Sequence, residues 1–186
     1  MFRRLMLFFL GLVTVLYPVL VYFALGRFNL RWVVSGMAFL LLARMIFFLP
    51  EISWKVGLTL CALVLGLLAW PSSWVVSALS YPVIVNALFL LVFVWSLYHP
   101  PPVIERLARL TDPDLPPQGV AYTRKVTWVW SAFFLMNGIL AAITVWLADL
   151  EIWALYNGFL AYLLMGLLMA GEYWVRQKVK RSFGHA

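Results

Sequence analysis

The 43 residues from Val56 to Tyr98 contain no charge. As α-helix, at about 1.5 Å per residue, such a run is roughly 64 Å long. A bilayer's hydrocarbon layer is about 30 Å thick, so the run must cross twice, with "WPSSW" at 70–74 as the turn between crossings. The crossings are helices, because lipid offers no partner to the open edge of a sheet.

The same criterion finds the other spans. Leu5–Leu25 is uncharged, Trp32–Leu49 holds one Arg, and Val126–Ala148 and Ile152–Gly171 complete the set. The expected fold is an all-α integral membrane protein: one transmembrane domain, residues 1–186, with spans at about 5–25, 32–49, 54–70, 74–98, 126–148 and 152–174. Composition agrees: 11% of residues are charged and 65% hydrophobic, against about 25% charged in soluble domains. Arg3–Arg4 before an apolar run resembles the start of a signal peptide. The run exceeds the usual ~7–15 residues and lacks a small-residue cleavage site, so it is expected to stay as the first helix.

Basic residues set the orientation. With the N-terminus in the cytoplasm, Arg3, Arg4, Arg44, Lys55, Arg106, Arg109, Arg124, Lys125, Arg176, Lys178, Lys180 and Arg181 lie inside, and only Arg27 and Arg31 outside. Both termini and residues 99–125 are thus expected in the cytoplasm of a multi-pass protein. All ten Trp residues fall within four positions of an expected helix end, as a headgroup-level aromatic belt requires.

Several chemistries are not expected. Cys61 is alone, so no disulfide or thiolate site forms, and His99 and His185 lack neighbouring metal ligands. No phosphate-cradling or nucleophile motif is present, and no cofactor is expected. The net charge of +7 is spread over membrane-proximal segments. It points to the anionic lipids of the inner leaflet, not to nucleic acid.

Helices in lipid associate through small residues and interhelical hydrogen bonds. Ala62/Gly66, Gly138/Ala142 and Gly166/Ala170 are one-turn small pairs. Asn86 and Asn137 sit at the midpoints of consecutive spans and can bond each other, as packing adhesive or as a site for a polar group at mid-depth. Arg44 and Glu172 are intramembrane charges near an interface. They are functional candidates by cost, or a snorkelling Arg and a Glu172 paired with Arg176. "YPVLV" at 17–21 recurs as "YPVIV" at 81–85, either a trace of an inverted repeat with facing kinks at Pro18 and Pro82 or a coincidence of common residues.

Between the fourth and fifth spans lies "HPPPVIERLARLTDPDLPPQGVAYTRK", the one long polar insert. Pro100–Pro102 ends one helix and suits the first turn of another. "VIERLARL" then makes two turns with Val103, Ile104, Leu107 and Leu110 on an apolar face. Glu105, Arg106 and Arg109 form the polar face, Glu105 and Arg109 pairing at i,i+4. The expectation is an interfacial amphipathic helix followed by a stiff proline segment up to the next span.

Two stretches, "HPPPVIERLARLTDPDLPPQGVAYTRKVTWVWSAFFLMNG" and "WALYNGFLAYLLMGLLMAGEYWVR", resemble a family of small bacterial inner-membrane proteins encoded beside fatty-acid-like synthases that make aryl-polyene pigments, including the xanthomonadin type. The resemblance covers about residues 80–176. More distantly, "KVTWVWSAFFLMNGILAA" is similar to the C-terminal half of intracellular septation protein A, which lacks the long proline-rich loop. Neither family brings a catalytic residue to this chain. The resemblance implies a supporting role in making, handing on or exporting a lipid-linked polyene. Three classes of function follow. The chain is a non-catalytic factor docking lipid, acyl carrier protein or synthase enzymes through Arg106, Arg109, Arg124 and Lys125; or an enzyme on an acyl or lipid headgroup with Glu172, His99 or Arg124; or a small lipid transporter using Asn86 and Asn137. The first is the expectation, with self-association open to it.

Overall fold

A computed structural model describes residues 22–23 and 74–183. The first three expected spans lie outside the described residues apart from helical Tyr22 and Phe23, and so do Arg44, Cys61, Ala62/Gly66, His185 and the 17–21 half of the sequence match. The described elements are α1 (Trp74–Leu79), α2 (Tyr81–Tyr98), α3 (Val103–Arg109), α4 (Pro117–Trp146), α5 (Leu150–Leu155), a π-helical turn (Tyr156–Leu160) and α6 (Ala161–Phe183). Among these residues every regular element is helical. Three stretches are long and apolar enough to cross a membrane: Tyr81–Tyr98, Pro117–Trp146 and Leu150–Val179. They correspond to the fourth, fifth and sixth expected spans.

The boundaries differ where proline and capping decide them. The stretch expected as one span over 74–98 is α1 and α2 with a break at Ser80. Pro82 brings no N–H to the helical ladder and occupies the first turn of α2. Ser80 bridges the break, its hydroxyl donating to Val76 O at 2.7 Å. The fifth span was expected from residue 126, yet α4 already begins at Pro117, a residue whose fixed φ suits a first helical turn. Residues 117–125 therefore extend the spanning helix, which at 30 residues is about 45 Å long, and the insert contracts to 99–116. The last helix is started by Asp149, whose Oδ1 accepts from the N–H groups of Glu151 (2.9 Å) and Ile152 (3.0 Å).

Packing is inverted relative to a soluble bundle. On α4 the buried positions are Gly119, Thr123, Val126, Thr127, Ser131, Phe134, Asn137, Ala141 and Thr144, mostly small or polar and mainly at three- and four-residue spacing. Its exposed positions include Trp128, Val129, Leu135, Met136, Ile139, Leu140, Ile143 and Trp146. Lipid is as apolar as Leu, so large aliphatic residues gain little by turning inward, whereas small ones let backbones approach. The buried hydroxyls are satisfied on their own helix: Thr127 donates to Thr123 O (2.8 Å), Ser131 to Thr127 O (2.9 Å) and Thr144 to Ala141 O (2.7 Å). Among the described residues no buried side-chain polar atom lacks a partner.

The tryptophans divide. Trp95, Trp128, Trp146 and Trp174 are exposed, as a belt requires. Trp153 is not: its ring is 0% exposed, and its indole N–H donates to Leu79 O at 2.9 Å. It clasps the end of α1 to α5 beside the Ser80 break, which removes it from the expected belt.

The link from α4 to α5 turns at Ala148, whose φ of 54° lies in the left-handed region that costs a residue with a Cβ about 1–2 kcal/mol. Ala148→Gly is expected to raise stability in detergent by about 0.5–1 kcal/mol, part of the relief being offset by glycine's larger unfolded-state entropy. A lowered melting temperature would show that the turn depends on the Ala148 methyl.

Candidate functional site

Two features stand out, a relay of amides between helices and a cavity beneath the insert. In the relay, the Tyr156 hydroxyl donates to Asn137 Oδ1 at 2.8 Å. Asn137 Nδ2 donates to Asn86 Oδ1 at 3.0 Å, and Asn86 Nδ2 to Pro82 O at 2.8 Å. Both asparagines are buried. The π-helical turn presents Tyr156, Ala161 N–H reaching back five residues to Tyr156 O. The next residue, Asn157, donates from Nδ2 to Thr144 Oγ1 (3.0 Å) and Trp153 O (3.0 Å). The turn thereby sends two polar side chains toward α4. Every amide oxygen and nitrogen of Asn86 and Asn137 has a protein partner, which is what packing adhesive requires.

Gly138 makes the approach possible. A Cβ built there would stand 3.1 Å from Asn86 Cβ, an atom next to the backbone that cannot swing away. Gly138→Ala is expected to cost about 1–2 kcal/mol as overpacking, read as a lower melting temperature in detergent. An unchanged melting temperature would show that α2 yields freely. The Gly166/Ala170 pair forms no such contact: Gly166 meets nothing within 4 Å among the described residues, and both residues are exposed.

The cavity holds about 700 Å³ and lies between α2, α3, α4 and α6. At one end Phe89, Phe93, Trp130 and Phe134 form an aromatic wall. Phe89 stacks on Phe134 at 5.0 Å between centroids, and Phe93 meets it edge-on at 5.1 Å. At the other end are Asp112, Tyr122, Thr123, Glu172 and Arg176. The Tyr122 hydroxyl stands 3.4 Å from both Glu172 Oε1 and Glu172 O, so it is loosely shared between α4 and α6.

The insert helix roofs this cavity with Ile104, Leu107 and Ala108. It is anchored by Ser96, whose Oγ accepts from Val103 N–H at 3.1 Å and donates to Phe93 O at 2.7 Å. One residue expected on its polar face turns inward as well: Glu105 is buried, 5% exposed, along with Ala108. The carboxylate can go inward because Arg109 neutralises it, with Nε at 2.9 Å and Nη2 at 2.8 Å from Oε1. Arg109 Nη1 also donates to Pro113 O at 3.0 Å, closing the turn after α3. So Glu105 does not face water, and Arg109, its side chain 39% exposed, both pairs with it and closes the turn.

The candidate residues are thus dispersed. Asn86 and Asn137 meet each other, and Glu172 lines the cavity near Arg176. Arg106 donates from Nε to Pro101 O at 2.8 Å, whereas Arg124 and Lys125 are exposed on the first turns of α4. His99 stacks on Trp95 at 3.8 Å; neither His99 nor Arg124 lines the cavity, so they do not converge with Glu172. Tyr156 and Asn157 were not singled out from the sequence, and Tyr122 was expected only at the headgroup level beside Arg124 and Lys125. The polar doublet Tyr156–Asn157 inside an apolar span was a usable signal for the first two.

Compared with known protein families, curated proteins and solved structures, the chain matches none.

Proposed function

We propose that this protein is a non-catalytic accessory factor of the bacterial inner membrane. It shelters an acyl or polyene chain beneath the insert and presents it to soluble biosynthetic enzymes. The supporting observation is the aromatic-walled cavity roofed by α3, within the roughly 300–1,000 Å³ range of small-molecule sites. In this reading six spans place both termini and the insert in the cytoplasm, where acyl carrier protein and fatty-acid-like synthases work. Exposed Arg124 and Lys125 attract anionic headgroups or an acidic carrier. The resemblance to the aryl-polyene-associated family supports the choice of product.

Two experiments test it. An acyl chain on an uncharged head, bearing a terminal photoreactive group, should label peptides containing Phe89–Phe93 and Trp130–Phe134 above the outward face of α4. Uniform labelling would defeat the chain-binding reading. Deletion of the gene should alter the polyene or lipid profile, with Arg124→Glu/Lys125→Glu reproducing part of the loss; an unaltered profile would defeat the biosynthetic role. For topology, a reporter fused at Gln118 should report the cytoplasm.

A further inference from the structure

We propose that the cavity's ligand is a single-chain amphiphile whose head carries an uncharged hydroxyl, and that the site rejects the corresponding fatty acid. This rests on the chain-binding reading above and names the head group that the site accepts.

Polarity runs along the cavity. Tyr122 and Phe134 both line it and are twelve positions apart on α4, roughly 18 Å at 1.5 Å per residue. The Phe134 end is aromatic and the Tyr122 end polar, so a chain enters with its tail toward Phe89, Phe93 and Phe134 and its head beside Tyr122.

The charges at the polar end select the head. Two carboxylates, Asp112 and Glu172, line it against one guanidinium, Arg176. A carboxylate head would bring a third negative charge beside half-buried Glu172, and like charges at close range repel. A hydroxyl avoids that cost and can donate and accept at once. The Tyr122 hydroxyl stands 3.4 Å from two oxygens of Glu172, beyond the usual 2.5–3.0 Å of an O–H···O bond. A ligand hydroxyl placed there donates to the Glu172 carboxylate and accepts from Tyr122, replacing two loose contacts with two good ones.

The test uses the full chain in phosphatidylcholine nanodiscs at neutral pH, titrated with a mid-chain brominated monoacylglycerol and with the brominated fatty acid of equal length. Bromine quenches tryptophan at contact, and Trp130 is the reporter. Saturable quenching by the monoacylglycerol is expected, and Trp130→Phe should abolish that component. The fatty acid should bind at least about tenfold more weakly, a difference of about 1.4 kcal/mol. Glu172→Gln should shrink the preference at least threefold by admitting the fatty acid. Equal affinities, or a preference unchanged in Glu172→Gln, would overturn the head-group assignment while leaving the chain-binding reading standing. No saturable quenching by either amphiphile would overturn both.

Discussion

Trp153→Ala is expected to destabilise the protein in detergent by about 3 kcal/mol or more, the largest single effect in the described region. Large aromatic truncations in soluble cores cost about 3–5 kcal/mol. Part of that is transfer from water, which a membrane interior does not supply, so the lower end applies. What remains is a cavity under α1 and a Leu79 carbonyl stripped of its indole donor. Trp153→Phe separates the two losses: it keeps most of the volume and removes only the N–H, and should cost about 1–3 kcal/mol. If Trp153→Phe is neutral by thermal unfolding, the Leu79 carbonyl has another partner, and the clasp is packing alone.

Asn137→Leu should follow, at about 2–3 kcal/mol, because it removes two interhelical bonds together. It leaves the Tyr156 hydroxyl without its acceptor and Asn86 Oδ1 without its donor. Single interhelical hydrogen bonds in membranes average about 0.6 kcal/mol and reach about 1.7. Asn86→Leu should cost less, since Tyr156 and Asn137 keep their bond. The double variant should fall short of the sum by about 0.6–2 kcal/mol, the energy of the shared bond. Strict additivity in the melting data would show that the two amides do not depend on each other.

The pairing of Asn86 with Asn137 was legible because it needs only depth, and depth follows from counting along each span. Azimuth does not. Trp153 stands as near a span end as Trp146, yet one is fully buried and the other is 84% exposed; the side of the helix that meets a neighbour decides it. The insert failed in the same way. Its periodicity located α3 within a residue of its observed Val103–Arg109, but an amphipathic pattern assumes that charge seeks water. Arg109 supplied Glu105 with a counter-charge inside the protein, and small Ala108 could then turn inward. The start of α4 at Pro117 was missed because the proline doublet was read as part of a stiff segment running up to residue 126, although Pro is equally at home in a first helical turn.

The relay from Tyr156 to Pro82 has a direction. Each member donates onward to the next and accepts from the one before, so the bond dipoles add along a line through the π-helical turn, α4 and α2. Aligned hydrogen bonds polarise one another, and loss of the terminal Tyr156 hydroxyl weakens bonds it never touches. Nor can one link reverse alone: a flipped Asn86 would set nitrogen against nitrogen at Asn137 and oxygen against oxygen at Pro82, and a flipped Asn137 would set oxygen against oxygen at Asn86. The joint therefore works as a toothed coupling does, its two interhelical bonds holding α2 and the π-helical turn in one register against α4. Sliding of α2 along α4 by fractions of a turn is closed to this part of the bundle.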